Sequence, residues 1–307
     1  MAFGKYAAQT EMRESLLSIL KDVSPNESNY LVSNLGKGSP AMNTIHEWNL
    51  YYQSRSTSIT GSIEGAATSY ADLTAETRSN NRTLILDEPI RLSRTRASIA
   101  MVSGEDAMSK EKERGLKRLK SDMEWATING QYASGDSGVA RGMSGIDQCI
   151  STNVTARSSG TSFTETEIND MVQQSWDGVE GEYVMDLLLA PPVIKRRIAT
   201  FGTNLTRNIN ASDKRLTTEV RVFDADLGPV IKIMAHKDVR KLAGSLTVYG
   251  LNESCFEHSF LVGSGEPHWE DRAQDGDREN GVYITELTVV SYAERASVKR
   301  TGYGTGL

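Results

Sequence analysis

The sequence predicts an α+β fold organised around one long helix, with an extended β-hairpin-like excursion before it and a strand-rich remainder after it. Three observations lead there. Met108, Leu116, Leu119, Met123, Ala126 and Gly130 recur at spacings of three, four and eight inside the stretch Ser103–Gly135, so they share one helical face. Two strand-like runs flank a polar stretch from Gln53 to Asn81 that has few large apolar residues. Gly (26) greatly outnumbers Pro (7), and Ser and Thr are abundant, which favours turns and strands over a helical bundle.

Taken in order, residues 1–21 read as an N-terminal arm. Glu11–Lys21 is weakly helical, and Ser24-Pro25 breaks it. Asn29–Lys37 carries Leu31, Val32 and Leu35 and ends in a glycine-rich turn, Gly36-Lys37-Gly38-Ser39. Residues 44–101 form the excursion. Trp48, Leu50 and Tyr52 alternate with Asn49 and Tyr51 as in a strand, and Thr83–Leu86 and Pro89–Val102 read as returning strands. The polar stretch between them has no core of its own and needs another surface to lie on. Its charge is segregated. Glu64, Asp72 and Glu76 lie on the outgoing half; Arg78, Arg82, Arg91, Arg94 and Arg96 lie on the returning half. These are candidate contacts between neighbouring copies, although exposed charge is more commonly just solvated.

The long helix is expected to span Ser103–Gly135, roughly 45 Å at 1.5 Å per residue. Ser103 and Asp106 suggest a capping box, Glu105 and Asp106 suit the positive end of the dipole, and Gly135 is a natural stop. Met108, Leu116, Leu119 and Met123 are the expected packing residues, while Lys110, Glu111, Glu113, Arg114, Lys117, Arg118, Lys120 and Glu124 form the solvated faces. After the glycine-rich turn 135–145, a second helix is expected at Thr164–Trp176, with Thr164 and Glu167 as a capping box. Tyr183–Ala190 reads as a central strand, and Pro191-Pro192 opens a third helix, Val193–Phe201. Short strands are expected at Thr217–Phe223, Pro229–Met234, Ser245–Tyr249 and Phe256–Val262. A charged loop is expected at Ser264–Asn280, a strong last strand at Val282–Val290, and a mobile tail at Gly302–Leu307.

The 307 residues suffice for one large domain or two modest ones. A net charge of -6 implies no general attraction to nucleic acid. Cys149 and Cys255 are too few for a disulfide framework, and the N-terminus lacks a signal-peptide core, so the expected site of synthesis is the cytoplasm. No catalytic, cofactor or metal site assembles from the motifs. Gly135-Asp136-Ser137-Gly138 resembles a serine-protease nucleophile turn, but His46 lacks the matching context. Asp275, Asp277, Glu279 and Glu286 have calcium-loop spacings, yet Asn280 stands where glycine is obligatory and a strand follows. Lys195-Arg196-Arg197 reads as the solvated face of a helix.

The order of elements and a few residues carry a family resemblance. These residues are Ser24-Pro25, Leu31, Ser33, Leu35-Gly36, His46-Glu47-Trp48 and Glu64-Gly65, with a second block at Arg141-Gly142-Met143-Ser144-Gly145-Ile146. The chain resembles the major capsid protein of tailed bacteriophages, the Hong Kong 97-type fold. The resemblance implies an N-terminal arm (1–43), an extended loop laid over a neighbouring subunit (44–101), a peripheral domain with a spine helix (102–146 and 271–307) and an axial domain (147–270). It implies self-assembly through pentamers and hexamers into an icosahedral virion shell that encloses DNA without specific recognition. It further implies separate scaffold and portal proteins, with decoration proteins as a further class of partner. The same fold leaves an encapsulin-like compartment as the alternative, and an unrelated enzyme or adhesin as a third class.

Overall fold

The computed structural model describes residues 29–51, 61, 63–67, 75–98, 106–179, 181–201, 222–239, 241–242, 245–263, 265–274 and 276–304. The expectations for residues 1–28, most of 52–74, Asp72, Ser103, Glu105 and 202–221 lie outside them.

The chain enters as a short helix α1 (Tyr30–Asn34) and a two-residue strand β1 (Gly36–Lys37). Gly36-Lys37 is thus not part of a turn, as the sequence suggested. It pairs in parallel with the strand ending at Phe260, Gly36 beside Glu257 and Lys37 beside His258. Next come β2 (Ile45–Leu50) and β3 (Thr77–Arg82), an antiparallel pair in which Ile45 faces Arg82 and Leu50 faces Thr77. Strand β4 (Leu84–Ser93) runs unbroken through Pro89 and stops at a short helix α2 (Arg94–Ser98), so the expected strand to Val102 is too long. Among the described strands β4 has one neighbour, and an outer strand tolerates proline.

The long helix α3 spans Ala107–Asn129, about 35 Å, and is shorter at both ends than expected. Asp106 is the cap: its carboxylate accepts the Ser109 N–H at 2.9 Å. These bonds from Ser109 hold the Asp106 carboxyl below the usual carboxylate range. The helix stops at Gly130 instead of Gly135. Gly130 packs backbone to backbone against Gly145, where a Cβ would meet Met143 O at 2.7 Å, and the Gly145 N–H bonds Gly130 O at 2.9 Å. Residues 133–142 then fold back on the helix end, and Gly135 (φ 72°) serves that turn.

The remaining elements are α4 (Ile146–Cys149), β5 (Val154–Thr161), α5 (Glu165–Val179), β6 (Leu187–Ala190), α6 (Pro192–Phe201), β7 (Val222–Asp224), β8 (Val230–Ala235), β9 (Lys241–Leu242), β10 (Ser245–Leu251), β11 (Phe256–Phe260), β12 (His268–Arg272), β13 (Arg278–Ser291) and β14 (Val298–Tyr303). Strand β12 lies inside the expected loop 264–280. Strands β5 and β14 lie where the sequence carries no strand signal, and β14 takes Gly302-Tyr303 out of the expected mobile tail; Tyr303 is fully buried.

Two sheets result. One contains β1, β11, β13, β12 and β4, with the fourteen-residue β13 bonded to β4, β11 and β12. The other runs β5-β14-β10-β6-β8-β7, with β9 on β10. The sheets do not divide at residue 270. Strand β11, before it, is bonded to β13, and β14, after it, is bonded to β5 and β10.

Helix α3 lies on β4 and β13. Gly115 permits the approach, since a Cβ there would stand 2.6 Å from Ile90 Cδ1. The main core joins Leu119, Met123 and Ile128 of α3 to Leu287 and Val289 of β13, Phe256 of β11, and Leu31 and Leu35 of the N-terminal segment. It also receives one face of the seven-stranded sheet through Leu187, Leu189, Tyr249 and Leu251. The opposite face, Leu188, Ala190, Leu246 and Val248, packs under α5 and α6 with Ile168, Met171, Ile194 and Ile198. The period-two alternation of β6 and β10 thus feeds two cores at once.

Candidate assembly surface

The paired legs β2 and β3 emerge from the five-stranded sheet, and their root is fixed by polar side chains. Asn81 is 1 % exposed. Its Nδ2 donates to Ser144 O (3.0 Å) and Val289 O (2.8 Å), and its Oδ1 accepts the Ser144 N–H (2.8 Å). Trp48 Nε1 donates to Ser291 O at 3.0 Å. The adjoining Thr83 hydroxyl donates to Glu286 (2.6 Å), which also pairs with Arg141 at 2.9 Å. The sequence placed Asn81 at the end of the polar stretch without a core, because a buried asparagine that satisfies several backbone groups has no local signature.

The segregated charges are distributed along this edge. Glu64, Glu76, Arg91, Arg94 and Arg96 are exposed. Arg78 crosses the leg pair to Glu47 at 3.3 Å, and Asn49 Nδ2 donates to Glu76 at 2.9 Å. Arg82 donates to Tyr132 OH at 3.2 Å and lies over its ring. Arg94 pairs with Asp277 at 2.7 Å, with both side chains more than half exposed. Ion pairs this open contribute about 0–1 kcal/mol, so their partners can be exchanged for groups on another molecule at little cost. Of the expected packing residues on α3, Leu119 (0 % exposed) and Met123 (2 %) lie in the core, while Met108 and Leu116 are half-buried.

Glu124 departs from expectation. The sequence placed it on a solvated face, yet it is 0 % exposed. Its carboxylate accepts the N–H groups of Leu31 (2.9 Å) and Val32 (2.8 Å) and the Nε2 proton of His236 (3.0 Å). The Asp238 N–H donates to His236 Nδ1 at 3.2 Å, which fixes that tautomer. One carboxylate therefore ties together α3, the N-terminal segment and the end of β8. The last two turns of α3 are enclosed more widely than a single apolar stripe suggests, because Thr127 and Ile128 are also buried.

His258, beside this junction, bonds Thr127 Oγ1 at 2.9 Å. Burial pushes its imidazole down from 6.5 to about 4, against the opposing pull of Glu124. The unfolded chain takes up this proton first as pH falls, so the contribution of His258 is complete above about 6.5 and is lost towards about 4. A loss on the order of 3 kcal/mol is expected across that window. Urea midpoints at pH 7 and pH 4.5 check it, with His258→Asn reducing the difference; identical pH slopes for both proteins would refute the assignment.

A second polar cluster sits under α5. Glu167 caps nothing with its side chain; it receives Arg157 at 3.0 Å, Tyr303 OH at 2.9 Å and Arg300. Burial works to raise its carboxyl, but the Tyr303 hydrogen bond and the Arg300 and Arg157 guanidinium groups outweigh that and hold it below the usual range.

The catalytic motifs come apart in space. Ser137 sits in an exposed turn with its N–H on Asp136, whereas His46 Nε2 lies 3.5 Å from Ser259. Asp277 pairs with Arg94 and Glu286 with Arg141. Among the described residues no three His, Cys, Asp or Glu side chains are grouped to hold a metal. The Cys149 and Cys255 thiols are free, and burial raises them to about 12 and about 11.

Solved structures share this architecture. The Cyanophage A-1(L) capsid aligns over 97 % of this chain and 99 % of its own at a TM-score of 0.70 and 11 % identity. The capsid of Myoviridae phage XM1 aligns over 94 % and 96 % at 0.59 and 12 % identity. The holo-SrpI encapsulin complex from Synechococcus elongatus PCC 7942 aligns over 100 % and 98 % at 0.60 and 11 % identity. No curated protein matches the sequence. The fold is thus that of a Hong Kong 97-type capsid subunit. The chain belongs to the SU10 major capsid protein family, whose model matches residues 3–304.

Proposed function

We propose that this major capsid protein builds the icosahedral head of a tailed bacteriophage from pentamers and hexamers, encloses DNA without reading its sequence, and performs no catalysis. The observation that carries the reading is the family match across residues 3–304. The two-sheet fold with its pinned leg pair supports it. In this reading the five-stranded sheet with α3 is the peripheral part and the seven-stranded sheet the axial part. The stretch between Leu50 and Thr77 reaches a neighbouring subunit, and Glu64, Asp72, Glu76 and the five arginines from Arg78 to Arg96 meet it. In this reading the shell is made in the host cytoplasm with separate scaffold and portal proteins. Electron microscopy of the protein expressed with and without a scaffold tests the reading: isometric particles or capsomers are expected, and monomers alone across salt and crowding conditions would refute it.

The similarity to an encapsulin keeps one rival in view, a compartment of the same fold. Purified particles decide between them by content, DNA for the head and a packaged protein for the compartment.

Replacing Arg94 and Arg96 together by Glu should lower particle yield at least tenfold and move the subunit melting temperature by less than about 3 °C, because both side chains are exposed. Wild-type yield would remove them from the contact surface.

A further inference from the structure

The seven-stranded sheet carries two helices on one face with opposite charge. Helix α5 has Glu165, Glu167, Asp170 and Asp177 and no basic residue; α6 has Lys195, Arg196 and Arg197 and no acidic one. Both pack into the same core. They lie over different strands of the sheet: α5 beside β14, which is bonded to the outer strand β5, and α6 against β6 and β8. Between α5 and β5 runs an open groove of about 510 Å³ lined by Asn153, Thr155, Asp170, Gln173, Asp177 and Arg300.

The groove's chemistry asks for a polypeptide with a positive group. Arg300, only 4 % exposed, is drawn mainly to Glu167, and its Nη1 stands 4.0 Å from Asp170, which is left 47 % exposed. Asp177 and Gln173 are also exposed. The groove therefore offers two exposed carboxylates, Asp170 and Asp177, to a cation.

We propose that this groove receives α6 of a neighbouring copy, with the exposed Arg196 against Asp170 and Asp177. The proposal deepens the shell reading and rests on it. The two surfaces belong to different parts of the same sheet, so the contact is heterologous: each copy gives α6 to one neighbour and takes α6 from the other, and the repeated rotation closes a ring. Exposed charges make each contact weak and sensitive to salt, which suits reversible ring formation.

Charge exchange tests it in the full-length chain. Asp170→Lys with Asp177→Lys, and separately Arg196→Glu, should each reduce particle yield at least tenfold at low salt while leaving subunit melting unchanged. All three changes in one chain should restore yield to within about threefold of wild type. Asp170→Asn with Asp177→Asn guards against misfolding of the lysine variant and should give a smaller loss. Wild-type yield from the groove variants, or no recovery in the combined chain, overturns the contact. If the groove variants fail and Arg196→Glu assembles normally, another basic segment fills the groove and the α6 assignment is overturned. Absence of particles from the wild-type protein itself would instead bring down the shell reading, and this contact with it.

Discussion

Replacing Glu124 by Ala is expected to destabilise the subunit by about 4 kcal/mol, from three donors left in a dry interior at about 1–3 kcal/mol each, with partial relief by water. The donors are the N–H groups of Leu31 and Val32 and the Nε2 proton of His236. Gln at the same place keeps the shape and one acceptor but turns an amide N–H towards a donor, so about half that loss is expected. Urea unfolding measures both. Amide exchange at Leu31 and Val32 separates release of the N-terminal segment from global loss of stability, since the first raises exchange there and leaves β13 protected. A Glu124→Ala protein within 1 kcal/mol of wild type would show that the junction is hydrated, not buried.

Leu119→Asp, or Met123→Asp, is expected to abolish the folded soluble subunit. Each places an unpaired carboxylate among Leu287, Val289 and Phe256, a penalty above about 4 kcal/mol that approaches the whole stability of a domain. The same change at the half-buried Met108 or Leu116 should cost about 1–2 kcal/mol and leave a cooperative transition. Thermal unfolding of the four variants reads the gradient along α3. Equal melting for the Leu119 and Leu116 variants would show that burial does not deepen along the helix.

Much of this was legible in the residues. The 3.6-residue period of α3, the apolar run of β6, the Pro191-Pro192 entry to α6 and the alternation of β2 are local signals, and the structure has an element at each. What escaped depends on partners distant in sequence. Strand β5, VTARSSGT, has no apolar alternation because it is an outer strand, and it is a strand through its pairing with β14. Glu124 looks like any surface glutamate until the segment around Leu31 covers it. The end of α3 was misplaced because Gly130 counted as one more small residue on the stripe, whereas it touches Gly145. Of the candidate contact residues, the sequence supplied the charge pattern. It did not supply their intrachain partners, Glu47 in β2 and Asp277 just before β13.

The position of β14 between β5 and β10 has a consequence for synthesis. On the ribosome, β5 emerges about 145 residues before the strand that joins it to its sheet. At ordinary translation speeds that is roughly 7–30 s during which the nascent chain holds an orphan strand and an open core. Until Tyr303 slides under Phe163 the seven-stranded layer is unfinished, so a half-made chain has no completed edge to offer its siblings.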